Sequence, residues 1–543
     1  MVGRQPAALT RRATLGLLSA FAAATPAAAS TAAARRTLRV RDDVEGRPIN
    51  PFVFGSNEIG AMDGGALSAE LDAAAGVSFR RLGGNLMTTY DWATNASNAG
   101  KDWRQANGHF LPDALRLPAG KRARPLAVIE TMHEASLAMG AKSLVTLPLA
   151  GFVAADADGP VAPADAAPSR RFKPVVWDRS TPAEAKIDPA VCDVSQLLAR
   201  IVAKYGAAGS ARGVHAYSLD NEPGLWRETH PLVVRRKPTI QRLIKRSIAA
   251  AKVVKAIDPA ALVFGPASWG ASEFATFQNA PDWSRYADHG SFLAAYLDAF
   301  RIASDKAGMR LLDALDIHWY PFSRRGDLLR TEDPALAQTL LDAPRSLSEG
   351  GFVEDSWVPD VLRPGDREKL GLPLLPSLRA TVERWYPGTE IAITEFNFGG
   401  AGQVASGLAL ADALGRFAAE GVASACHWGS LAGFVGEAYR LYRSGAGFGG
   451  RIAAVETDAG PGVTAYAARG ERRLVLVVIN KSEAPAAFDL AFAGAAGGYG
   501  FASGAGFDAT RRVADGAAEA PERTPNGFRL ALPPRAARRY EFG

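Results

Sequence analysis

Two cysteines in 543 residues, Cys192 and Cys426, are too few for a disulfide scaffold, and neither has the His or Cys spacing of a metal site. Cys426 lies in an apolar run and reads as a small core hydrophobe. Nothing in the sequence supports a bond between the two. A Gly-rich phosphate loop is also missing, which argues against a hydride-transfer barrel. An excess of one charge sign is lacking as well. The chain carries 62 Lys and Arg against 56 Asp and Glu, a net +6, and without Arg4, Arg11 and Arg12 it falls to +3. So small and scattered an excess excludes nucleic acid as the expected partner. Beyond the first thirty residues no uncharged run is long enough to span a bilayer.

The N-terminus has the order of an export signal. Thr10-Arg11-Arg12-Ala13-Thr14 precedes an apolar run from Leu15 to Ala24, and Ala27-Ala28-Ala29 offers small residues for cleavage before Ser30. The paired arginines resemble a twin-arginine address. Residues 1–29 are therefore expected to be removed and the mature protein to be periplasmic or extracellular.

Eight near-continuous apolar runs follow, at Phe52–Asn57, Val77–Gly83, Ser143–Pro148, Val214–Asn221, Leu262–Ala267, Leu315–Tyr320, Glu390–Phe396 and Val422–Gly429. Such runs suit parallel strands covered on both faces. Segments with helical spacing separate them, at Leu67–Ala75, Ala127–Met139, Val194–Tyr205, Ile240–Ile257, Phe292–Ala307, Leu378–Trp385 and Ala405–Ala419. The alternation predicts an α/β chain with a (β/α)8 TIM barrel over residues 48–443. Two stretches after strands, Ala150–Ala190 and Pro321–Asp366, read as long loops on the face where barrels build their sites. Trp177 and Trp357 lie in them as packing anchors. From about Ser444 the spacing turns to short strands between Gly, Pro and Asp turns, which predicts an antiparallel β-sandwich over 444–543. The lone strand of residues 36–47 is expected to join it, so that both chain ends build one domain.

Two of the barrel strands end in a carboxylate. Tyr217-Ser218-Leu219-Asp220-Asn221-Glu222-Pro223 closes the fourth, and Glu390-Ile391-Ala392-Ile393-Thr394-Glu395-Phe396-Asn397 the seventh. Glutamates at the carboxyl ends of two parallel strands can face each other across one cleft, the arrangement that glycosidic cleavage needs. Asn221 beside Glu222 can reach a sugar hydroxyl. Arg81, ending the second strand, can hold Glu395 ionised. Tyr320 or His318, ending the sixth, can hydrogen-bond Glu395. Trp428 at the end of the eighth fits an indole floor under a sugar, with Trp92 and Trp226 as further platforms.

Five motifs, in order along the chain, resemble glycoside hydrolase family 44. They are Arg81-Leu82-Gly83-Gly84-Asn85 with Thr88-Thr89-Tyr90-Asp91-Trp92; Ser97-Asn98-Ala99-Gly100-Lys101-Asp102-Trp103; Asp220-Asn221-Glu222-Pro223 with Trp226; His318-Trp319-Tyr320-Pro321; and Thr394-Glu395-Phe396-Asn397 with Gly399-Gly400. The resemblance spans about Phe52 to Gly400. It implies a barrel with a terminal β-sandwich, an acid/base at Glu222, a nucleophile at Glu395 and a secreted endo-β-1,4-glucanase or xyloglucanase that retains anomeric configuration. Leu82, Asp91 and Phe396 depart from the family's pattern, which is expected to alter sugar subsites. The alternatives are a related barrel hydrolase on mannan, xylan or arabinofuranosides, and a glycan-binding protein with an inactive barrel. The chemistry requires no cofactor. No calcium ligand loop stands out, and oligomeric state is not legible.

Overall fold

The computed structural model describes residues 36–60, 66–177, 180–329, 333–366, 369–494, 498–516 and 518–543. The expected signal segment, residues 1–29, lies outside them. Chain order begins with β1 (Arg36–Arg41), followed by eight strands interleaved with helices: β2 (Gly55–Asn57), β3 (Phe79–Leu82), β4 (Lys142–Leu147), β5 (Ala216–Leu219), β6 (Leu262–Ser268), β7 (Ala314–Trp319), β8 (Glu390–Phe396) and β9 (Ser424–His427). These eight close on themselves as a parallel barrel in the order β5-β6-β7-β8-β9-β2-β3-β4. Almost every residue in them is buried, because helices cover the outside while side chains fill the inside. Near one end Phe79, Leu144, Ala216, Phe264, Ala314, Ala392 and Cys426 pack as one apolar layer, each from a different strand. Cys426 thus belongs to the barrel interior, and both cysteines are free and buried.

The principal helices are α1 (Ser68–Ala75), α2 (Ala127–Ala138), α3 (Val194–Tyr205), α4 (Ile240–Ile257), α5 (Phe292–Ala307), α6 (Leu374–Trp385), α7 (Val404–Glu420) and α8 (Gly433–Arg443). The last has no counterpart in the sequence reading. Gly433 and Gly436 lower its helical propensity. Close packing calls for Gly436, since a Cβ there would stand 2.2 Å from the Leu431 carbonyl oxygen. The two stretches read as long loops are partly ordered. The first contributes Phe152–Ala154 and Phe172–Val176 to a small sheet that Cys192–Asp193, just beyond it, completes. The second folds into short helices at Ala337–Asp342, Arg345–Ser348 and Val358–Val361, too brief for helical periodicity to register.

The sandwich comprises β1 with β10 (Arg451–Thr457), β11 (Val463–Arg469), β12 (Leu474–Asn480), β13 (Ala486–Phe492), β14 (Phe501–Phe507), β15 (Glu522–Thr524), β16 (Gly527–Leu532) and β17 (Ala536–Phe542). Strand β1 lies between β10 and β13, antiparallel to the first and parallel to the second, so one pair departs from the antiparallel pattern. Its Leu38 and Val40 enter a core with Leu476, Val478, Phe488 and Leu530.

Helix α7 lies between the barrel and the sandwich, which explains why it is apolar nearly all round. Its one buried acid, Asp412, is met from the sandwich by Lys481 Nζ at 2.8 Å and by the Tyr466 hydroxyl, and from its own helix by Arg416 Nε at 3.3 Å. This group of charges fixes the two layers against each other. Tyr466→Phe removes one donor from a buried carboxylate and is expected to lower stability by about 1.5–3 kcal/mol, read as a drop in the thermal midpoint.

Candidate active site

Strands β5 and β8 deliver two carboxylates to the same end of the barrel. Glu395 sits inside β8, buried, with its neighbours fixed by the ladder: Ile317 of β7 pairs with Ile393, and a register shift then sets His318 beside Glu395. Glu222 lies just past β5 with φ 45°, and Asp220 before it has φ 70°. A non-glycine residue in the left-handed region costs on the order of 1–3 kcal/mol and persists only where its surroundings hold it. Here they do. The Asp220 carboxylate accepts from the backbone N–H of Leu149, of Ala150 at 3.0 Å and of Asn221 at 2.7 Å, and from the Thr88 hydroxyl at 2.6 Å. The Glu222 N–H donates to the Ala267 carbonyl at 2.9 Å. Trp226 donates its indole N–H to the Asn221 carbonyl at 3.0 Å.

Arg81, fully buried, joins the two halves. Its Nη1 donates to Glu395 Oε1 at 2.7 Å and to Asn57 Oδ1 at 3.1 Å, while Nη2 donates to Asn221 Oδ1 at 2.8 Å. Gly83 is required beside it, because a Cβ there would fall 2.2 Å from the guanidinium carbon. Tyr320 donates its hydroxyl to Glu395 Oε2 at 2.8 Å. His318 Nδ1 lies 2.9 Å from Glu222 Oε1 and 3.4 Å from Glu395 Oε2, so it meets the first carboxylate more closely than the second. One atom from each of Glu222, His318 and Glu395 falls within 4.8 Å of the others.

Burial decides the protonation preferences. It pushes the Glu222 carboxyl up to about 7 against an opposing pull from Arg81, and holds His318 down to about 3, a neutral imidazole at ordinary pH. The Tyr320 hydroxyl is raised well above its usual value by burial and by the carboxylate beside it, so it stays a donor. Glu222 keeps 15% of its side chain exposed, enough for its tip to meet a ligand.

The structure separates the sequence candidates. Arg81, Asn221, Glu222, His318, Tyr320 and Glu395 form one connected cluster. Trp428 stands half-buried at the end of β9, its ring against Gly84, where φ is 81° and a Cβ would lie 2.5 Å from the indole. Trp92 does not belong. It is 1% exposed, its N–H is bound to the Asp193 carbonyl at 3.0 Å, and it packs in the core, so it offers no face to a sugar. Trp226, 3% exposed, braces the Asn221 backbone instead of forming an open platform. Leu82, Asp91 and Phe396 are also fully buried, and Asp91 pairs with Lys173 at 2.7 Å. None of the three therefore presents a surface of its own to a sugar.

Three groups escaped the sequence reading. Asn57, at the end of β2, supports Arg81 and donates to the Thr394 carbonyl at 2.9 Å. Asp316 in β7 accepts from Thr394 Oγ1 at 2.9 Å and is pushed up to about 7 by burial. Glu273, pushed up to about 8 by burial with a contribution from Glu222, accepts from Ser268 Oγ at 3.1 Å and from the Trp269 N–H at 3.2 Å. The Ser-Asn ending of the first strand was a usable signal for Asn57. Glu273 had none, because it lies on a six-residue helix with no motif around it. Trp269, just past β6, also gathers with Phe322 and Trp357 of the long stretch after β7 as an aromatic cluster.

A parallel eight-stranded barrel with two near-contacting carboxylates at the ends of its fourth and seventh strands has the architecture of the barrel glycosidases. The chain belongs to glycoside hydrolase family 44. A sequence model of that family matches residues 96–323. The xyloglucanase of that family from Paenibacillus polymyxa, solved with xyloglucan, superposes with a TM-score of 0.85 at 33% identity over 94% of this chain and 99% of that one. Endoglucanase A of Paenibacillus lautus is 35% identical over 475 residues, and the beta-mannanase/endoglucanase A of Caldicellulosiruptor saccharolyticus is 34% identical over 464. These matches cover 84% and 80% of this chain, which spans 65% and 33% of the two relatives' lengths.

Proposed function

We propose that the protein is an endo-acting β-1,4-glucan hydrolase, cleaving xyloglucan or a related backbone with retention of anomeric configuration. The observation that carries this reading is the approach of the Glu222 and Glu395 carboxylate atoms to within 4.8 Å, with Arg81 and Tyr320 donating to Glu395 and burial keeping Glu222 protonated near neutral pH. A spacing this short fits a nucleophile, because retaining pairs lie roughly 5–5.5 Å apart while inverting pairs leave room for water between them.

In the first step Glu222 passes its proton to the glycosidic oxygen as the bond to the anomeric carbon breaks, and a Glu395 oxygen bonds to that carbon. The leaving chain departs as an alcohol and a glycosyl ester remains. The negative charge on Glu395 is then gone, which lowers the affinity of Glu222 for a proton. As a carboxylate, Glu222 takes a proton from water while the oxygen of that water attacks the same carbon. The ester breaks, Glu395 regains its charge and Glu222 its proton. Arg81 and Tyr320 stabilise the negative charge on Glu395 at the start and end of the cycle, and neutral His318 adds a hydrogen bond to Glu222 without adding charge. Two carboxylates suffice, so no cofactor is required.

Product sizing on xyloglucan, carboxymethylcellulose and mannan tests the substrate, and the anomer first released, read by NMR, tests retention. Export rests on the Thr10-Arg11-Arg12 segment, and the N-terminal sequence of protein recovered outside the cytoplasm tests it. Because the acid must be protonated to act, kcat/KM is expected to fall as pH rises through about 7, and Glu222→Gln to remove that limb along with most activity.

A further inference from the structure

Walled by the segments that follow β4 and β5 lies a cavity of about 730 Å³, lined by neither glutamate but by Trp226, four residues past Glu222. Five cations line it (Arg235, Arg236, Lys237, Arg242 and Arg246) and no carboxylate does. Among the described residues none of the five has an ion-pair partner. The nearest acids are already engaged: Asp282 caps α4 by accepting from the N–H groups of Ile240 and Gln241, both at 3.0 Å, and Asp220 holds the backbone amides described above. Arg246 commits Nη1 to the Leu149 and Ala150 carbonyls, each at 2.8 Å, and its other nitrogens have no bond among the described residues. Five like charges around one hollow, three of them on exposed arginines, create a positive local potential that favours a negative ligand. The crowding is felt by Arg246, whose pKa is lowered to about 10, first by burial and then by Arg242.

The cavity also has an apolar side. Half-buried Phe152 offers its ring there, and Val233, Leu243 and Trp226, nearly covered by their neighbours, back the wall with apolar atoms. A bare inorganic anion would leave that surface uncovered, whereas a pyranose with a carboxyl substituent presents an apolar face and a negative group together. The volume lies in the range of small-molecule sites. Trp226 lines the cavity and also holds the Asn221 carbonyl, so a ring resting here abuts the segment that bears Glu222.

We propose that this cavity binds an acidic sugar unit, a uronic-acid residue, of a glycan whose neutral stretch occupies the adjoining cleft. The assignment rests on the hydrolase reading given above. The test is equilibrium binding to the full chain carrying Glu395→Gln, titrated separately with a glucuronic-acid-bearing oligosaccharide, a neutral cello-oligosaccharide of equal length and inorganic phosphate. The acidic oligosaccharide is expected to bind about tenfold tighter than the neutral one at low salt, with the gap closing at high salt. Adding Arg235→Gln and Arg242→Gln is expected to abolish the preference, and Arg235→Lys with Arg242→Lys to restore it. Both arginines are exposed, so the core survives either change, and an unshifted thermal midpoint verifies this. Equal binding of acidic and neutral chains, a preference that survives both Gln substitutions, or phosphate binding as tightly as the acidic oligosaccharide would each overturn the proposal. Wild-type cleavage of neutral xyloglucan, assayed in parallel, reports on the hydrolase reading by itself.

Discussion

Replacing Glu395 with Gln is expected to lower turnover on the preferred glucan by on the order of a thousandfold or more, while the folded state and the binding of oligosaccharide persist. The amide keeps the shape of the side chain, and its one oxygen still accepts from Arg81, but its NH2 group cannot accept from Tyr320 and the side chain cannot attack the anomeric carbon. Glu395→Gly goes further, opening a space beside that carbon. Added azide is expected to enter it and restore turnover, releasing a glycosyl azide of inverted configuration. The same treatment of Glu222→Gly should instead give an azide of retained configuration, since there the ester on Glu395 forms first. Product NMR separates the two, and wild-type turnover in both Gln variants would refute the assignment of the pair.

The second large effect is expected at Arg81. Arg81→Met takes the cation from a fully buried cluster and leaves Glu395 Oε1, Asn57 Oδ1 and Asn221 Oδ1 without their donor. Breaking a buried pair from one side costs about 3–5 kcal/mol, so the thermal midpoint should drop steeply. Arg81→Lys keeps the charge but offers a point donor where a planar fork spans three acceptor groups, and should recover stability only in part. Activity has a readout that stability lacks. Arg81 favours the carboxylate form of Glu222, so losing it raises the Glu222 pKa further, and the alkaline limb of kcat/KM should move above its wild-type position near 7. A limb that stays in place would show that Arg81 acts only as a structural support.

Trp92 and Trp428 show how far residue type can be read. Both follow barrel strands in the sequence, and both are large rings at positions where a sugar floor is useful. One lies in the core with its N–H taken by a carbonyl; the other stands half-open against Gly84. Spacing along a chain specifies which strand a residue leaves, not how the following loop turns, and the loop decides whether the ring meets solvent. Asn57 and Glu273 illustrate the converse, since their importance comes from partners 24 or more residues away, such as Arg81 and Glu222.

The eight apolar runs, their order and the carboxylates ending the fourth and seventh were set by the sequence itself, because burial on both faces demands unbroken hydrophobicity and a polar residue marks where a strand emerges. Helix α8, the one parallel pair made by β1, the burial of Trp92 and Trp226 and the gathering around one cavity of five cations without an ion-pair partner among the described residues were decided only in three dimensions. Each depends on contacts between segments remote in the chain, and such contacts leave no period for a local pattern to carry.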